Sequence, residues 1–457
     1  MKAFDVMVIG AGSAGRYAAK VAAREGASVG LVEAGPFGGL CILNGCMPTK
    51  AYLRSSELVG LIRKGPEIGV VPGGRTQIRF DRIKSRKDRL IKEMAEDAKS
   101  GIVDHPAITL LSGSARFLSM REIQVGPSTY ACEKYVIASG SKMVVPSFPG
   151  LKETGFLNSD DALAMNLLPA SMVVIGGGAE ALEFGQFFHR MGVQTTILQR
   201  SGHLLSREDP DIGMTLAEIF RKDGIDVRCG TQIKRVKSSE GLKQIYFKQA
   251  QETICVEGEE ILLVTGRTGN VERLHLNTAG VETNEYGIEV NEYLQTSNPN
   301  IYAAGDVTGI DLIVNIATYQ GKIAGANIMK GPMQKADYRV IPKAIFTDPQ
   351  YARVGLSERE AEQRGVPIRV GRFPFNDLGK AIVTDQMDGF VKILASPENG
   401  EILGVQIVGA GASDLIHQTV IAMRYRTTLK SYAEISHIHP SMSEILLYLV
   451  EDMIDAV

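Results

Sequence analysis

The alternation of apolar and polar positions predicts a strand–turn–helix–strand unit at the start of the chain. An apolar run at residues 4–9 stops at a glycine-rich turn, Gly10-Ala11-Gly12-Ser13-Ala14-Gly15. Small apolar residues at 18–23 then recur with the spacing of a helix that packs through a small-residue face. A second apolar run, residues 27–32, ends at Glu33. This order is the format of a parallel βαβ unit.

The same format recurs near the middle of the chain. Residues 171–175 predict a strand, residues 182–191 a helix and residues 193–198 a further strand. The turn that joins the first two is Gly176-Gly177-Gly178-Ala179-Glu180-Ala181. Two such units, far apart in sequence, indicate two separate dinucleotide-binding domains.

Other segments complete the predicted organisation. Residues 78–99 are charged and amphipathic and predict a surface helix, and residues 135–140 predict a strand that ends in a tight turn. Residues 143–150, with two prolines, are a candidate linker. From about residue 341, strands at 390–394 and 402–408 followed by helices predict a third, α+β domain. The predicted fold class is therefore α/β, with two Rossmann-like domains and a C-terminal α+β domain.

Composition narrows the classes of function. The formal net charge is -2, and no basic run is interleaved with aromatic residues, so nucleic acid is not an expected partner. Apolar stretches are interrupted well before the roughly 20 residues that a membrane span requires. The five cysteines are too few and too scattered for a secreted disulfide framework. We therefore expect no membrane segment and a reducing, cytoplasmic location.

The first glycine turn has the features of a dinucleotide site. Gly10 permits the tight turn, Gly12 lets the backbone approach a pyrophosphate, and Gly15 lets helix and strand pack closely. Ser13 and Ala14 lie at the helix N-terminus, whose N–H groups suit phosphate. Glu33 is placed to accept hydrogen bonds from a ribose.

Two cysteines follow this unit, Cys41 and Cys46, within the sequence GGLCILNGCMPTK. On an ideal helix, residues five apart are separated by about 7.5 Å along the axis, whereas a disulfide needs Cα atoms within roughly 7 Å. The pair can close only if the start of the helix is distorted, and Gly45 supplies the necessary freedom. A helix N-terminus would also favour a thiolate. The alternative is two unrelated cysteines that fill apolar space.

The pattern GGxCxxxGCxPxK resembles the FAD-dependent pyridine nucleotide–disulfide oxidoreductases, which include dihydrolipoamide dehydrogenase, glutathione reductase and mercuric reductase. The similarity extends over essentially the whole chain. It implies that Cys41 is the interchange thiol that meets substrate and that Cys46 lies against the flavin. Lys50 would lie near flavin N5, paired with Glu183, although a solvated surface lysine is the alternative. Further FAD contacts are expected at Ala138, Ser139, Gly140 and Asp306.

The resemblance also implies a division into domains. Residues 1–146 and 270–340 would bind FAD, residues 147–269 would bind NAD(P), and residues 341–457 would form the dimerisation domain of a homodimer. Gly266 lies in a segment, Thr265-Gly266-Arg267, that resembles the connection from the nicotinamide domain back to the flavin domain. Together with Glu183, it is among the expected NAD(P) contacts.

The second glycine turn, with Gly176, Gly178 and Ala181 at its key positions, predicts the nicotinamide coenzyme site. The strand after it ends in Gln199 and Arg200 and has no acid to bond a ribose 2′-hydroxyl. Arg200, with Arg207 nearby, suits a 2′-phosphate. The sequence therefore favours NADPH over NADH. Alternatively, Arg200 is only an exposed charge at the edge of a strand.

A candidate base lies near the C-terminus in the sequence HIHPSMSE. Disulfide exchange needs a group that takes and returns a proton near neutral pH, and an imidazole held by a carboxylate is suited to this. By resemblance, His439 with Glu444 is that group, and it acts on Cys41 of the second subunit. A structural histidine is one alternative. Metal ligation is another, but no cluster of further ligands lies near, so no metal is predicted.

The predicted reaction moves electrons between NAD(P)H and a small-molecule disulfide, dithiol or lipoyl-bearing substrate. Dihydrolipoamide dehydrogenase-like activity is the default expectation. Gln199 and Asn315 differ from the residues expected of that enzyme and weaken this assignment. The final residues, 448–457, lack the cysteines with which mercuric reductases hand over metal. The alternatives are an NADPH-dependent reductase of a glutathione-type disulfide, quinone or metal ion, and a flavin electron carrier without dithiol turnover.

Overall fold

The structure is a computed structural model that describes residues 3–71, 73–74 and 76–455. The last two positions of the predicted C-terminal domain, 456 and 457, lie outside the described residues. Within the described ranges, no helix combines the length and the apolarity that a membrane span requires.

The strands of the described residues are numbered in chain order. They are β1 (Val6–Ile9), β2 (Val29–Glu33), β3 (Ile108–Ser112), β4 (Ala115–Phe117), β5 (Glu122–Val125), β6 (Ser128–Ala131), β7 (Lys134–Ile137), β8 (Ser141–Met143), β9 (Ser171–Ile175), β10 (Gln194–Gln199), β11 (Asp226–Cys229), β12 (Thr231–Ser239), β13 (Leu242–Gln249), β14 (Glu252–Gly258), β15 (Glu260–Leu263), β16 (Arg267–Gly269), β17 (Ile301–Ala303), β18 (Lys343–Ile345), β19 (Gln350–Gly355), β20 (Arg369–Pro374), β21 (Phe390–Ala395) and β22 (Ile402–Gly409).

The α-helices are numbered in the same way. They are α1 (Ser13–Arg24), α2 (Gly39–Leu43), α3 (Cys46–Lys64), α4 (Phe80–Val103), α5 (Leu151–Thr154), α6 (Ser159–Ala164), α7 (Ala179–Arg190), α8 (Pro210–Lys222), α9 (Val314–Lys330), α10 (Glu358–Arg364), α11 (Gly379–Val383), α12 (Ala412–Arg424), α13 (Leu429–Ala433) and α14 (Glu444–Asp455).

The chain forms two compact units. The first contains the residues up to Ala51 together with Asp81–Val145 and Gly266–Asp337. Its main sheet is parallel and five-stranded, in the order β17-β7-β1-β2-β3. All four residues of β1 are buried, as expected of a parallel strand covered on both faces. The predicted βαβ unit is thus the centre of this sheet.

Helix α1 packs against α9 through small residues, as the alanine-rich face predicted. A Cβ atom at Gly321 would lie 2.3 Å from the carbonyl oxygen of Ala14, and one at Gly325 would lie 2.6 Å from that of Ala18. Because these backbones approach so closely, only glycine fits at both α9 positions. The contact fixes the start of α1, where the first glycine turn ends.

The second unit contains Tyr52–Phe80, Pro146–Thr265 and the residues from Tyr338 onward. One of its sheets is parallel and four-stranded, in the order β11-β10-β9-β15, and contains the second predicted βαβ unit. A three-stranded antiparallel sheet, β12-β13-β14, follows β11 in the chain.

The C-terminal part of this unit is an antiparallel five-stranded sheet in the order β18-β19-β22-β21-β20. Helices α12, α13 and α14 contribute buried apolar residues to the same core cluster as its strands. This arrangement matches the α+β pattern predicted from residue 341 onward, and the fold class predicted from the sequence is confirmed. The division into three functional domains stays a prediction.

Candidate functional site

The first glycine turn connects β1 to α1 and has a backbone that only glycine allows at its key positions. Gly10 has φ +104°, and a Cβ atom there would lie 2.2 Å from the carbonyl oxygen of Ala138. A Cβ atom at Gly15 would lie 1.8 Å from the carbonyl oxygen of Gly10. Gly12 is the N-cap of α1 and provides no capping side chain, so the first N–H groups of the helix have no side-chain acceptor from that position. Such an N-terminus binds phosphate.

Glu33 lies at the end of β2 and is bonded directly to this turn. Its Oε2 accepts a hydrogen bond from the Ala11 N–H at 2.9 Å, and its Oε1 accepts one from the Gly35 N–H at 3.0 Å. A carboxylate has about four acceptor sites, so two fixed bonds leave it able to accept from ribose hydroxyls. The structure therefore places Glu33 beside the glycine turn, and its role at the ribose stays a prediction.

The segment after β7 forms the opposite wall of the turn. The Ser139 hydroxyl donates to the carbonyl oxygen of Asn270 at 2.7 Å, and the Asn270 N–H donates to that of Gly140 at 2.9 Å. Gly140 has φ +74°, which glycine adopts without strain. Ala138, Ser139 and Gly140 are thus held beside Gly10 by backbone contacts within the first unit.

Asp306 follows β17 and belongs to a chain of polar contacts. Its Oδ2 accepts a hydrogen bond from the Ser141 hydroxyl at 2.7 Å, and the Arg267 Nε donates to that hydroxyl at 2.9 Å. Burial raises the pKa of Asp306, although the bond from Ser141 and the charge of Arg267 oppose this. A carboxylate held by a single hydroxyl suits further hydroxyl donors. Ser141 was missed in the sequence, although it directly follows the predicted Gly140.

Gly266, the last site residue predicted in this unit, precedes Arg267 and has φ +121°. Its carbonyl oxygen accepts a hydrogen bond from the Val144 N–H at 3.0 Å. Gly266 thus holds the connection beside β8, and its part in binding the nicotinamide coenzyme stays a prediction.

The two cysteines lie on either side of a break in the helix. Helix α2 ends at Leu43, Asn44 and Gly45 interrupt it, and α3 begins at Cys46. A Cβ atom at Gly45 would lie 2.9 Å from the carbonyl oxygen of Leu40, so the break needs a small residue. This is the distortion that the spacing of the cysteines requires.

The break brings the two thiols together. Cys41 and Cys46 are half-buried thiols that share a hydrogen bond. That bond raises the pKa of Cys41, and burial and the charge of Cys46 add to the effect, whereas Lys50 and Arg16 oppose it. The two thiols therefore titrate as one coupled pair.

The cysteine helix abuts the first glycine turn. Gly39, at the start of α2, has φ +69°, and a Cβ atom there would lie 2.5 Å from Cα of Gly12. The two cysteines and the predicted pyrophosphate site are therefore neighbours within one unit.

The second glycine turn repeats the geometry of the first. Gly176 has φ +141°, and a Cβ atom there would lie 2.3 Å from the carbonyl oxygen of Val264. Gly178 is the N-cap of α7 without a capping side chain, and Ala181 is fully buried where helix and strand pack. The turn therefore offers a second helix N-terminus for phosphate.

Gln199, at the end of β10, folds back onto this turn. A Cβ atom at Gly177 would lie 2.6 Å from Cδ of Gln199. The Gln199 Oε1 accepts from the Arg200 N–H at 3.1 Å, and its Nε2 donates to the carbonyl oxygen of His203 at 3.4 Å. The Arg200 and Arg207 side chains are exposed in the loop that follows. The arrangement presents two guanidinium groups and no carboxylate at the end of the strand.

Glu183 lies on a polar stripe of α7 that holds the segment before β19. Its Oε1 accepts a hydrogen bond from the Phe346 N–H at 3.0 Å. The amide of Gln186 exchanges two bonds with the backbone of Asp348, and Arg190 forms an ion pair with the Asp348 carboxylate at 2.8 Å. Gln186 and Arg190 were missed, although polar residues at this spacing in an apolar helix are a detectable signal. The predicted pair of Glu183 with Lys50 joins residues of different units and stays a prediction.

The predicted base and its carboxylate are in direct contact. The Nδ1 of His439 lies 2.9 Å from Oε1 of Glu444, at the start of α14. Glu444 also accepts bonds from the Ser441 N–H at 2.7 Å and the Tyr448 hydroxyl at 3.1 Å. Burial works against the charge of Glu444, but these bonds keep its pKa below the usual value. The side chain of His439 is 76% exposed, so its second nitrogen is accessible to a reacting group.

A buried cluster of charges joins the C-terminal sheet to the loop before α8. Lys392 on β21 is fully buried, and its Nζ donates to Asp209 at 2.8 Å and to Asp211 and Glu358 at 2.9 Å. Three such carboxylates would suit a metal ion, but Lys392 supplies the cation. Burial opposes the charge of Lys392, yet the three acids raise its pKa.

The loop that carries Arg200 and Arg207 is held by a second set of charges. Glu208 accepts from the Tyr351 hydroxyl at 2.7 Å and from Arg353 at 3.0 Å. On the other side, the Leu205 N–H donates to the carbonyl oxygen of Gly177 at 2.8 Å. The loop is therefore fixed between the second glycine turn and strand β19. Nothing in the sequence indicates this arrangement.

Comparison with known proteins agrees with this geometry. Residues 4–326 match the pyridine nucleotide-disulphide oxidoreductase family, and residues 341–449 match the family's dimerisation domain. The chain therefore belongs to the pyridine nucleotide-disulphide oxidoreductase family. Family members use FAD and NAD(P)H, so the predicted cofactors are confirmed, and the second match supports a homodimer.

Relatives of different activity are similar over almost the whole chain. A mercuric reductase of Lysinibacillus sphaericus is 32% identical over 96% of this chain and 81% of its own length. A dihydrolipoyl dehydrogenase of Chlamydia muridarum is 33% identical over 97% of this chain and 95% of its own length. The solved Cu(II) complex of the HOCl-induced flavoprotein disulfide reductase RclA from Escherichia coli has a TM-score of 0.88 and 27% identity, with 99% of both chains covered.

Proposed function

We propose that this chain is a homodimeric, FAD-dependent oxidoreductase that moves electrons between NADPH and a disulfide or dithiol through Cys41 and Cys46. The observation that carries the proposal is the thiol pair itself, which bridges a break in the helix directly beside the first glycine turn. Two buried cysteines used only as apolar filling need neither the break nor this neighbour. The alternative of unrelated cysteines is therefore disfavoured.

The residues of the first unit fit FAD. Gly12 leaves room for a pyrophosphate at the N-terminus of α1, where Ser13 and Ala14 supply N–H groups, and Gly10 and Gly15 permit the close backbone packing of the turn. Glu33 suits the adenosine ribose and Asp306 the hydroxyls of the ribityl chain. FAD, when bound, accepts hydride from the nicotinamide and supplies two electrons to the disulfide. Lys50 and Glu183 would lie beside the flavin ring, and the predicted domain limits, 1–146 with 270–340, 147–269 and 341–457, remain part of this proposal.

The protein side chains supply the sulfur and proton chemistry. Cys46 is the thiolate nearest the flavin, and Cys41 is the sulfur that exchanges with substrate. His439, oriented by Glu444, gives a proton to the departing substrate thiol and takes it back in the reverse direction. We expect His439 to act on Cys41 of the second subunit, which makes the dimer the active form.

The coenzyme proposal is NADPH in preference to NADH. Glycine residues 176 and 178 and Ala181 form the pyrophosphate turn, and Gln199 is turned toward that turn and its loop. Exposed Arg200 and Arg207 suit the 2′-phosphate. An acid at this position would bond the NADH ribose and repel the phosphate.

For the acceptor, we retain a lipoyl-type disulfide as the first candidate and a metal ion as the second. The second is favoured by the relatives named as mercuric reductase and by the Cu(II) complex of RclA. Among the described residues up to Asp455, no cysteine follows Cys255. The cysteine pattern also keeps the cytoplasm as our proposed location.

Turnover of the purified holoenzyme with NADPH tests the function. The assay compares lipoamide with Cu(II) as acceptor, in wild type and in Cys41→Ser. If Cys41 exchanges with a disulfide, the variant retains FAD but loses lipoamide reduction. Unchanged lipoamide turnover in Cys41→Ser would show that electrons leave the flavin by a route without the dithiol. Turnover with Cu(II) alone would favour the second candidate.

A further inference from the structure

Arg16 lies close to the cysteine helix but is not part of the site described so far. It is one helical turn after Gly12 on α1, and so on the same side of that helix. Gly12 faces Gly39, because Cα of Gly39 lies 3.8 Å from the position that a Cβ atom would take on Gly12. Cys41 follows Gly39 by two residues. The crossing of the two helix starts therefore brings Arg16 near the Cys41 sulfur.

Protein groups compensate the positive charge of the Arg16 guanidinium only in part. Its Nε is shielded from solvent and has no hydrogen-bond partner among the described residues. Burial lowers the pKa of Arg16, and the groups that oppose this are Cys41 and Tyr17 in their anionic forms. A partly buried cation without a carboxylate partner is costly to fold, and an anion next to it removes part of that cost.

The groups around Cys41 act in opposite directions. Its hydrogen bond with Cys46 and its burial hold the proton on the sulfur, whereas Lys50 on α3 and Arg16 on α1 favour the anion. In the proposed function, Cys46 would be the thiolate beside the flavin, and Lys50 would lie beside the flavin ring. Arg16 is therefore the remaining cation that acts on Cys41.

We propose that Arg16 is a positioning residue that stabilises the Cys41 thiolate for attack and favours an acceptor disulfide that carries a carboxylate near its sulfur atoms. This inference rests on the proposed function and extends it to a class of substrate, an anionic small-molecule disulfide. A guanidinium with an unpartnered N–H matches a carboxylate in both charge and geometry.

The chemical step is balanced by the groups already assigned. NADPH and one proton reduce the disulfide to two thiols, Cys41 and Cys46, and the Cys41 proton then passes to the His439 imidazole. The Cys41 thiolate attacks one sulfur of the acceptor, so a Cys41–acceptor bond forms, the acceptor S–S bond breaks, and the departing sulfur takes a proton from the His439 imidazolium. The Cys46 thiolate then attacks Cys41, which re-forms the Cys41–Cys46 disulfide and releases the second acceptor sulfur as a thiolate that is protonated.

The first test measures the reactivity of Cys41. Reduced holoenzyme with Cys46→Ser, which removes the coupled thiol, is alkylated with neutral iodoacetamide over a range of pH, and Cys41 is quantified by peptide mass spectrometry. We expect Arg16→Met to raise the midpoint of the pH profile of Cys41 alkylation by about one pH unit. At pH values below the midpoint, alkylation should therefore be about ten-fold slower. Arg16→Lys should restore most of the rate. Arg24→Met is the matched control, because it removes the same charge from an exposed position of the same helix.

The second test compares lipoate with lipoamide, which differ by one carboxylate charge, as acceptors of NADPH electrons. We expect the ratio of their kcat/KM values to fall about ten-fold in Arg16→Met and to stay constant in Arg24→Met. Equal alkylation profiles in the Arg16 and Arg24 variants would overturn the role at Cys41, and an unchanged ratio would overturn the anionic class.

One competing role for Arg16 is to hold the FAD pyrophosphate at the start of α1. Loss of bound FAD in Arg16→Met, with an unchanged alkylation profile of Cys41, would establish that role and reject ours. If the wild type reduced neither lipoate nor lipoamide, the proposed function with these substrates would fail. The alkylation profile would still decide whether Arg16 stabilises the Cys41 thiolate, so the two failures are distinguishable.

Discussion

The Nδ1 of His439 lies 2.9 Å from Oε1 of Glu444, whose second oxygen accepts the Ser441 N–H. The carboxylate is buried while the imidazole is exposed, so one nitrogen is held by the protein and the other faces outward. This is the arrangement of a base that is oriented from behind. It leads to the first prediction.

Glu444→Gln should slow disulfide reduction about 100-fold, because the amide no longer stabilises the imidazolium that forms during exchange. Reduction of the enzyme by NADPH should keep its rate, since that half-reaction does not use His439. The two half-reactions are measured separately by stopped flow. The pKa of Glu444 is lowered by its hydrogen bonds, so the difference from wild type should persist at every pH above the usual carboxylate range. Equal slowing of both half-reactions would indicate that the substitution disturbs the protein structure and does not act only through His439.

Lys392→Met should destabilise the protein by about 3–5 kcal/mol, because Asp209, Asp211 and Glu358 would lose the cation between them. Although burial alone would raise it, the bond with Lys392 lowers the pKa of Asp209 in the folded protein. Its contribution to stability is therefore present above the unfolded carboxylate pKa and is lost as the pH falls through the folded value.

The difference between Lys392→Met and wild type should consequently shrink as the pH falls below about 4, where the acids take up protons. Urea unfolding at several pH values measures this, with exposed Lys248→Met as the control. A difference that is independent of pH would mean that packing, and not charge, accounts for the loss.

Gly39→Ala should weaken FAD binding and destabilise the cysteine helix by about 1–3 kcal/mol, because it forces a positive φ on alanine. Its Cβ would also lie 2.5 Å from Cα of Gly12. Gly35→Ala is the control, since no atom lies within 4 Å of a Cβ there. The flavin-to-protein absorbance ratio after gel filtration reports the outcome. Full FAD occupancy in Gly39→Ala would contradict the close contact between the start of α2 and the first glycine turn.

Arg200→Ala should raise the KM for NADPH by about ten-fold and leave the KM for NADH unchanged, because only NADPH carries the 2′-phosphate. Arg235→Ala, an exposed arginine on β12, serves as the control. Initial rates with each coenzyme are sufficient. A parallel rise in both KM values would assign Arg200 to the loop structure and not to coenzyme choice.

The parts of the structure that depend on local pattern could be predicted from the sequence. The β9 bounds, Ser171–Ile175, agree with the predicted strand, whereas α1 and α7 begin inside the glycine turns, α7 three residues before the predicted helix. Glycine turns are predictable because residues other than glycine rarely adopt φ values such as the +104° of Gly10. The break between Cys41 and Cys46 was likewise expected, because the spacing of the pair conflicts with a regular helix.

The parts that depend on pairing across long sequence distances could not be predicted. Lys392 lies in an apolar strand, and nothing local indicates that Asp209 and Glu358 would meet it. Its position follows from the register of the C-terminal sheet, in which Lys392 pairs with Gln406 and Gln406 with Arg353. Arg16 was not singled out either, because an arginine on a helix is ordinarily a solvated charge.

The reduction of the holoenzyme by NADPH, followed by rapid-mixing absorbance, tests the central claim most directly. If electrons pass to the Cys41–Cys46 pair, the wild type should develop a long-wavelength band from the Cys46 thiolate beside the flavin, and Cys46→Ser should bleach without that band. Bleaching without the band in the wild type, or a band of equal strength in Cys46→Ser, would contradict the proposal that Cys46 connects the flavin to the dithiol.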